Sequence, residues 1–304
     1  MSRPNKLSSY TSNAGWMTLF RHLPYLRYAH AEDIPARVRR SIEDVRLVES
    51  RIHGQFATAL RNLDVLEVGP GQYLSQLTYF AIHNRTTGID LDVIAHAGAS
   101  PLDYIDMLRF NGARRTIKTI GRKLLGIDRA YTAELHRQLN LQHRPRHKVL
   151  RMDVSELQFP DESFDLVYSR AVFHHLPDAQ SAIREVARVL RPGGVAYIAL
   201  HPFTNPTGCL DPRVMMGGSN CGDAWPHLRP ETQDWVRPCA FVNKLRIPMW
   251  QRLFKEAMPG AVFMLPRCDE SYVSAAKALH AQGCLTEFAI DELTTGELVA
   301  LWRK

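Results

Sequence analysis

The 304-residue sequence lacks any apolar run of the roughly 18–20 residues that span a bilayer, and residues 1–9 lack the continuous apolar core of a secretory signal. Both absences predict a soluble, cytoplasmic chain. There are only five cysteines, Cys209, Cys221, Cys239, Cys268 and Cys284, with no C-x-x-C pair. The spacings of 12 and 18 residues between the first three fit no common zinc pattern. Free thiols in a reducing compartment are therefore expected, and no metal site. No collagen-like, coiled-coil or solenoid period exists, and 18 Gly and 18 Pro are ordinary usage, which excludes fibrous and repeat classes. With 45% apolar residues the chain can bury a large core, which excludes disorder as its main theme.

What is present is unevenly spread. Residues 93–151 hold 12 Lys/Arg against 4 Asp/Glu, so the net charge of +7 is concentrated there. Such a segment either faces an anionic partner or is a solvated helical face. Near the N-terminus, Ile42, Val45, Val48, Ile52 and Phe56 recur at helical steps. The aromatic-rich stretch before them (Trp16, Met17, Phe20, Leu23, Tyr25, Leu26) is expected to pack on that helix, so residues 1–60 read as an N-terminal helical cap.

From residue 64 the texture changes to short apolar runs closed by Gly or Asp, alternating with helical stretches: 65–68, 87–89, 149–152, 164–168 and 195–200. This is the pattern of a parallel sheet with crossover helices. Asp178 is placed to cap a helix with Ile183, Val186, Val189 and Leu190 as its buried stripe, and Pro192-Gly193-Gly194 is expected to end it. Two segments exceed a minimal repeat: a basic helical insert over 93–147, and an irregular stretch over 201–246 that reads as a substrate lid. Residues 249–258 look helical, and 285–293 with 297–303 look like an antiparallel hairpin, giving a C-terminal hairpin over 285–304.

The chemistry concentrates at the ends of the predicted strands. Val65-Leu66-Glu67-Val68-Gly69-Pro70-Gly71 runs a strand into a glycine turn ahead of a helix, where backbone can pass close under a ligand. A dinucleotide fingerprint needs a third glycine where Leu74 stands, so that fingerprint is broken. Asp90 closes the strand that follows Gly71, at a place where a carboxylate can accept from both ribose hydroxyls. Asp153 ends the third strand, where an adenine amino group could be received. On spacing alone, Glu67 and Asp153 could equally be helix caps and Asp90 a turn residue.

Taken in order, Glu67-x-Gly69-x-Gly71, Gly88-Ile89-Asp90, Met152-Asp153-Val154, the 164–169 strand with its His174-His175-Leu176 tail, and Val189-Leu190-Arg191-Pro192-Gly193-Gly194 resemble the class I S-adenosylmethionine-dependent methyltransferases over residues 64–200. The resemblance implies an α/β fold: a Rossmann-like, seven-stranded, mostly parallel sheet with helices on both faces, occupying 61–304. It implies S-adenosylmethionine as cofactor, with Gly69 and Gly71 admitting the methionine part and Glu67 ordering the turn. Asp90 would hold the ribose, Asp153 and Val154 would border the adenine, and Ser169 and Arg170 would lie near the methionine end. Tyr73 departs from the family, which commonly has a small residue there.

Methyl transfer to a hydroxyl needs a base, and His174, His175 and His201, all at strand ends, are the candidates. In the lid, Trp225 or Trp235 could stack on a sugar, and Arg213, Arg229 and Arg246 could pair with a phosphate or carboxylate. The expectation is a methyltransferase acting on a small molecule or saccharide, possible as a homodimer. RNA methylation through the insert is an alternative, but Tyr104, Phe110 and Tyr131 make no stacking platform and no Asn-Pro-Pro-Tyr-like amine motif follows residue 169. A non-catalytic binding protein of the same fold is a third reading.

Overall fold

A computed structural model describes residues 33–95, 100–216 and 224–304. The aromatic stretch Trp16–Leu26 and Cys221 therefore lie outside the described residues. Seven strands form one mixed sheet: β1 (Asp64–Val68), β2 (Arg85–Asp90), β3 (His147–Arg151), β4 (Phe164–Arg170), β5 (Leu190–Leu200), β6 (Val262–Met264) and β7 (Leu298–Arg303), in the order β3-β2-β1-β4-β5-β7-β6. The chain divides into two compact units, with the boundary between Tyr168 and Ser169.

In the first unit, helix α1 (Ile34–Phe56) buries Val38, Ile42, Val45, Val48 and Ile52 at the predicted steps, while Phe56 is half-buried. Strand β1 pairs in parallel with β2, Val68 opposite Ile89, and β2 pairs in parallel with β3, Asp90 opposite Arg151. Val65, Leu66 and Val68 are buried, contributing on the order of 1.5–3 kcal/mol each. Helix α2 (Ser75–Phe80) follows the glycine turn. Three helices separate β2 from β3: α3 (Pro101–Asn111), α4 (Ala113–Leu124) and α5 (Ile127–Gln138). Helix α3 starts on a capping box, where Asp103 N–H donates to Ser100 Oγ and Ser100 N–H donates to Asp103 Oδ2.

In the second unit, helix α6 (Ala179–Val189) buries Ile183, Val186 and Val189, and Asp178 Oδ1 accepts from Ser181 N–H at 2.9 Å, as its cap role requires. Its end differs from the sequence expectation. Leu190 is already extended and opens β5, so Pro192-Gly193-Gly194 lies within the strand. There Gly193 N–H donates to the Lys304 carbonyl and Lys304 N–H to that of Gly194, which holds this stretch to the chain's last residue.

The C-terminal hairpin is also corrected. Leu285–Leu293 is not a strand, because it turns into a one-turn helix over Ile290–Leu293. Strand β7 pairs antiparallel with β5 on one side and with β6 on the other. Among the described residues of 201–246 the chain is largely irregular, with a short helix at α7 (Pro212–Met216) and a 3-10 turn at Gln233–Trp235, before α8 (Ile247–Ala257). No helix among the described residues is long and apolar enough to cross a membrane.

Candidate functional site

The glycine turn is shaped by β1 and β2 together. Gly69 N–H donates to the Ile89 carbonyl at 2.8 Å, which ties the turn to the end of the neighbouring strand. Gly69 and Gly71 both have positive φ, 74° and 65°, which strains any residue with a Cβ. No atom lies within 4 Å of the position a Gly71 Cβ would occupy, so the turn borders open space. At Gly88 the reason for glycine is contact, since a Cβ would stand 3.0 Å from Pro70 and Leu77. Leu74, where a dinucleotide fold has glycine, adopts φ 52° and packs on Leu77 and Ile94.

Glu67 is buried in β1, and its Oε2 has no hydrogen-bond partner among the described residues. Burial pushes its carboxyl up to about 8, so it is neutral at pH 7. It is neither a helix cap nor an acceptor for the turn at that oxygen. Asp90, at the end of β2, accepts from Asp92 N–H at 2.9 Å, and burial pushes it up to about 6 against the lowering influence of Arg115. Met152 N–H donates to the Asp90 carbonyl, which brings Asp153 and the buried Val154 beside the end of β2. Asp153 is exposed and its Oδ1 accepts from Ser155 N–H, a local turn that does part of what a cap would do. Thus Glu67, Gly69, Gly71, Asp90, Asp153 and Val154 belong to one strand edge of the first unit.

Tyr73 is explained by the insert. Its ring stacks on Tyr131 of α5 at 4.1 Å between centroids, with Arg37 and Arg122 over it at 5.2 and 5.5 Å. The Tyr131 hydroxyl is within hydrogen-bond distance of Ser75 and Ser41. A cavity of about 470 Å³ opens between the turn (Gln72, Tyr73, Leu74) and the insert. Lys123, Arg129, His136 and Arg144 line it, with Asp128, which is engaged by Arg122. The Lys123 ammonium is pushed down by burial and by the like charges of Arg122 and Arg144, although Asp128 opposes this. His136 is pushed down by burial and by Arg144. The cavity is cationic.

The histidines lie in the second unit, on a 3-10 turn (Phe173–His175) and at the end of β5. His174 and His175 are buried, their rings 4.1 Å apart, and His201 meets His174 at 5.5 Å. Burial, then His175 and His201, push His174 down to about 2, so it is neutral. Its Nδ1 accepts from the His201 backbone N–H at 3.3 Å, which places its proton on Nε2. His175 and His201 are the reverse: their Nδ1 atoms face the Phe241 and Gly296 carbonyls at 2.7 and 3.2 Å, so Nδ1 carries the proton. His201 is half-buried. Ser169 is fully buried, and Arg170 reaches Glu297 at 3.2 Å.

Asn243 was missed as a functional residue. Its Nδ2 donates to the Phe173 and Leu176 carbonyls, and its backbone N–H donates to the His174 carbonyl, so it clamps the histidine turn from far along the chain. Nothing in the local sequence marks it. The lid roles are corrected as well. Trp225 is fully buried, with its indole N–H donating to the Thr204 and Leu293 carbonyls, so it is core and not a sugar platform. Arg213, Arg229 and Arg246 pair with Asp211, Glu231 and Glu292. Trp235 is half-buried under Arg213.

Residues 112–198 match the family described as a methyltransferase domain; the match begins inside the insert and ends in β5, after the glycine turn. The 27-O-demethylrifamycin SV methyltransferase of Amycolatopsis mediterranei is 42% identical over 67 residues, 22% of each chain. The demethylmenaquinone methyltransferase of Mycolicibacterium paratuberculosis is 27% identical over 125 residues, 37% of this chain and 54% of the relative. The phosphoethanolamine N-methyltransferase 2 of Haemonchus contortus, solved with S-adenosyl-L-methionine, is 13% identical with a TM-score of 0.47, covering 84% of this chain and 52% of that one. The chain spans about a fifth to a half of the length of these curated relatives. Residues 112–198 are thus similar to a methyltransferase domain, and the strand order, the glycine turn and the acids that follow it resemble the class I S-adenosylmethionine-dependent methyltransferases.

Proposed function

We propose that this chain methylates a hydroxyl of an anionic small molecule or saccharide, with a histidine of the second unit taking the proton. The observation that carries the reading is the unsatisfied acidic edge of the first unit, where Glu67 Oε2 is buried without a partner beside a glycine turn that borders open space. A sulfonium bearing an ammonium and a ribose fits that edge. Glu67 would receive the ammonium, Gly69 and Gly71 would let the chain pass under the amino-acid end, and Asp90 would accept from the ribose hydroxyls. Val154 and Asp153 would border the adenine, with Ser169 and Arg170 assigned to the methionine end. When bound, the cofactor supplies a methyl group on positively charged sulfur.

His201 is the base the hydrogen bonding supports best. Its Nδ1–H is committed to the Gly296 carbonyl, which leaves the lone pair on Nε2; the lone pair of His174 is already used by His201 N–H, and His175, with the same tautomer as His201, is buried where His201 is half-buried. His201 Nε2 would take the proton that the acceptor's hydroxyl gives up when it receives the methyl group that the cofactor would supply. His174 and His175 hold the geometry, and much of the rate comes from alignment and water exclusion. The cationic cavity beside the turn supports an acceptor carrying phosphate or carboxylate. A relative named for a 27-O-demethyl substrate supports oxygen as the methylated atom.

Calorimetry with S-adenosylmethionine tests the first half: sub-millimolar binding is expected, and no binding in that range would overturn the enzyme reading. A mass-shift screen of phosphorylated and carboxylated alcohols and sugars tests the second. Methylation confined to uncharged acceptors would remove the assignment of the cavity.

A further inference from the structure

The insert between β2 and β3 is built inside out. On α4, Thr116 and Thr119 are buried at 5% and 6% exposure, while Ile117, Ile120 and Leu124 on another face stand out at 56%, 38% and 83%, followed by Leu125 at 66%. Helix α3 repeats the pattern: Met107 and Asn111 point inward, and Leu102, Ile105 and Leu108, each one helical turn from the next, are exposed. The inward polar groups are satisfied, since Thr116 Oγ1 donates to the Gly112 carbonyl and the Asn111 amide bonds both the N–H and the carbonyl of Val93. The two helices therefore need no apolar contact on their outer face to be fully bonded within. Among the described residues, the short stretch from Leu102 to Leu125 leaves all of these large aliphatic side chains exposed, far more than the scattered exposed apolars of an ordinary surface.

The charge beside the stripe is mixed on α3, where Asp103 and Asp106 stand with Arg109, and basic on α4, although Arg115 and Arg122 there are paired with Asp92 and Asp128. From Gly112 to Gly126 the sequence has Arg114, Arg115, Lys118, Arg122 and Lys123 and no acid. The helical repeat brings Ile117, Ile120 and Leu124 into one narrow sector of α4, and the exposed Lys118 falls on the flank beside it, while Arg122, one turn on, is turned to Asp128 and Tyr73. An apolar stripe flanked by bases suits a surface that is greasy below and negative above. A second copy of the chain would bring the same bases face to face, because a two-fold contact pairs like with like. Residues 1–32 are also basic, with Arg3, Lys6, Arg21 and Arg27 against Glu32 alone, so their charge does not complement the stripe.

We propose that α3 and α4 dock this protein onto an anionic phospholipid surface, the aliphatic stripe entering the acyl boundary and Lys118 lying among the headgroups within the positive field of the insert. The docking is peripheral and independent of the methyl-transfer reading. Flotation of the full chain with vesicles of phosphatidylcholine, with and without about one third phosphatidylglycerol, tests it. Binding to the anionic vesicles at least ~10-fold stronger than to the neutral ones, and weakened by salt, is expected. Leu124→Asp with Leu125→Asp should abolish binding while leaving the melting temperature and the calorimetric affinity for S-adenosylmethionine unchanged, and Lys118→Glu should weaken it. No binding of the full chain to anionic vesicles overturns the proposal. So does binding that the Leu124 and Leu125 substitutions leave intact. A concentration-dependent dimer that those substitutions dissolve, without vesicle binding, would give the face to a second copy instead.

Discussion

Each compact unit of this chain holds a cluster of buried ionisable groups, and burial has removed charge from both, with opposite consequences. In the first unit Glu67 is neutral at pH 7, and its Oε2 is left with no partner, next to a turn that borders open space. In the second, His174 is neutral but satisfied, its Nδ1 occupied by His201 N–H and its turn clamped by Asn243. A buried polar atom without a partner costs about 1–3 kcal/mol, so the first cluster is incomplete without a ligand and the second is complete without one. The acidic edge therefore reads as a binding device, and the histidines as a scaffold whose half-buried member is His201.

The largest effect should come from His201, which is half-buried and keeps its lone pair on Nε2. His201→Ala is expected to lower turnover ~10²–10⁴-fold, with cofactor affinity unchanged, measured as transfer of labelled methyl to an acceptor found by the mass-shift screen. A His201→Ala protein with normal turnover would erase the distinction between base and scaffold. Next in size is the acidic edge. Asp90→Ala should weaken S-adenosylmethionine binding ~10–100-fold by calorimetry, the worth of a charged hydrogen-bond acceptor. Unchanged affinity would show that the edge is not the binding device.

The scaffold reading is sharpened by stability. Asn243→Ala frees the Phe173 and Leu176 carbonyls and should cost about 1–3 kcal/mol in urea unfolding. Loss of turnover without loss of stability would instead make Asn243 part of the reacting site.

What the sequence made legible follows from how local each signal is. Strands β1 to β5 are marked by short apolar runs, the first three closing on Gly69, Asp90 and Asp153, and the helix after Asp178 by its cap and stripe. Strand β6 escaped because it is a very short, half-buried run with no alternation to read. The hairpin was misread because 285–293 has strand-like apolar content but ends in a helical turn, where Thr294 Oγ1 donates to the Ile290 carbonyl. At the candidate site, the positions of the glycine turn and of the strand-end acids were legible, and the states of their side chains were not. Which nitrogen of His174 carries the proton, and that Glu67 is without a partner at Oε2, depend on neighbours distant in sequence. Tyr73 was visible only as a departure; its stack on Tyr131 is a contact with a helix on the far side of β2, which no local pattern announces.

The smallest effect, and the most specific to the unpartnered acid, is a slope of stability with pH. In the unfolded chain Glu67 ionises near 4.5, and in the folded chain burial pushes it up to about 8. Between those values the unfolded chain gives up a proton that the folded chain keeps, so stability falls as pH rises, by about 1.4 kcal/mol per pH unit, and levels off above 8. Asp90 acts with the same sign only up to about 6. The depressed histidines act with the opposite sign below 6.5, because there the unfolded chain binds the protons that buried His174 refuses. The window from 6.5 to about 8 therefore isolates Glu67. Urea titrations across it should show a declining stability that Glu67→Gln flattens, since glutamine keeps the shape and cannot ionise. Bound S-adenosylmethionine should act on the same group: an ammonium beside Glu67 favours the carboxylate, so affinity should rise with pH through this window in the native chain and stay level in Glu67→Gln. A native slope that survives the substitution would place the titrating group elsewhere and return Glu67 to the core.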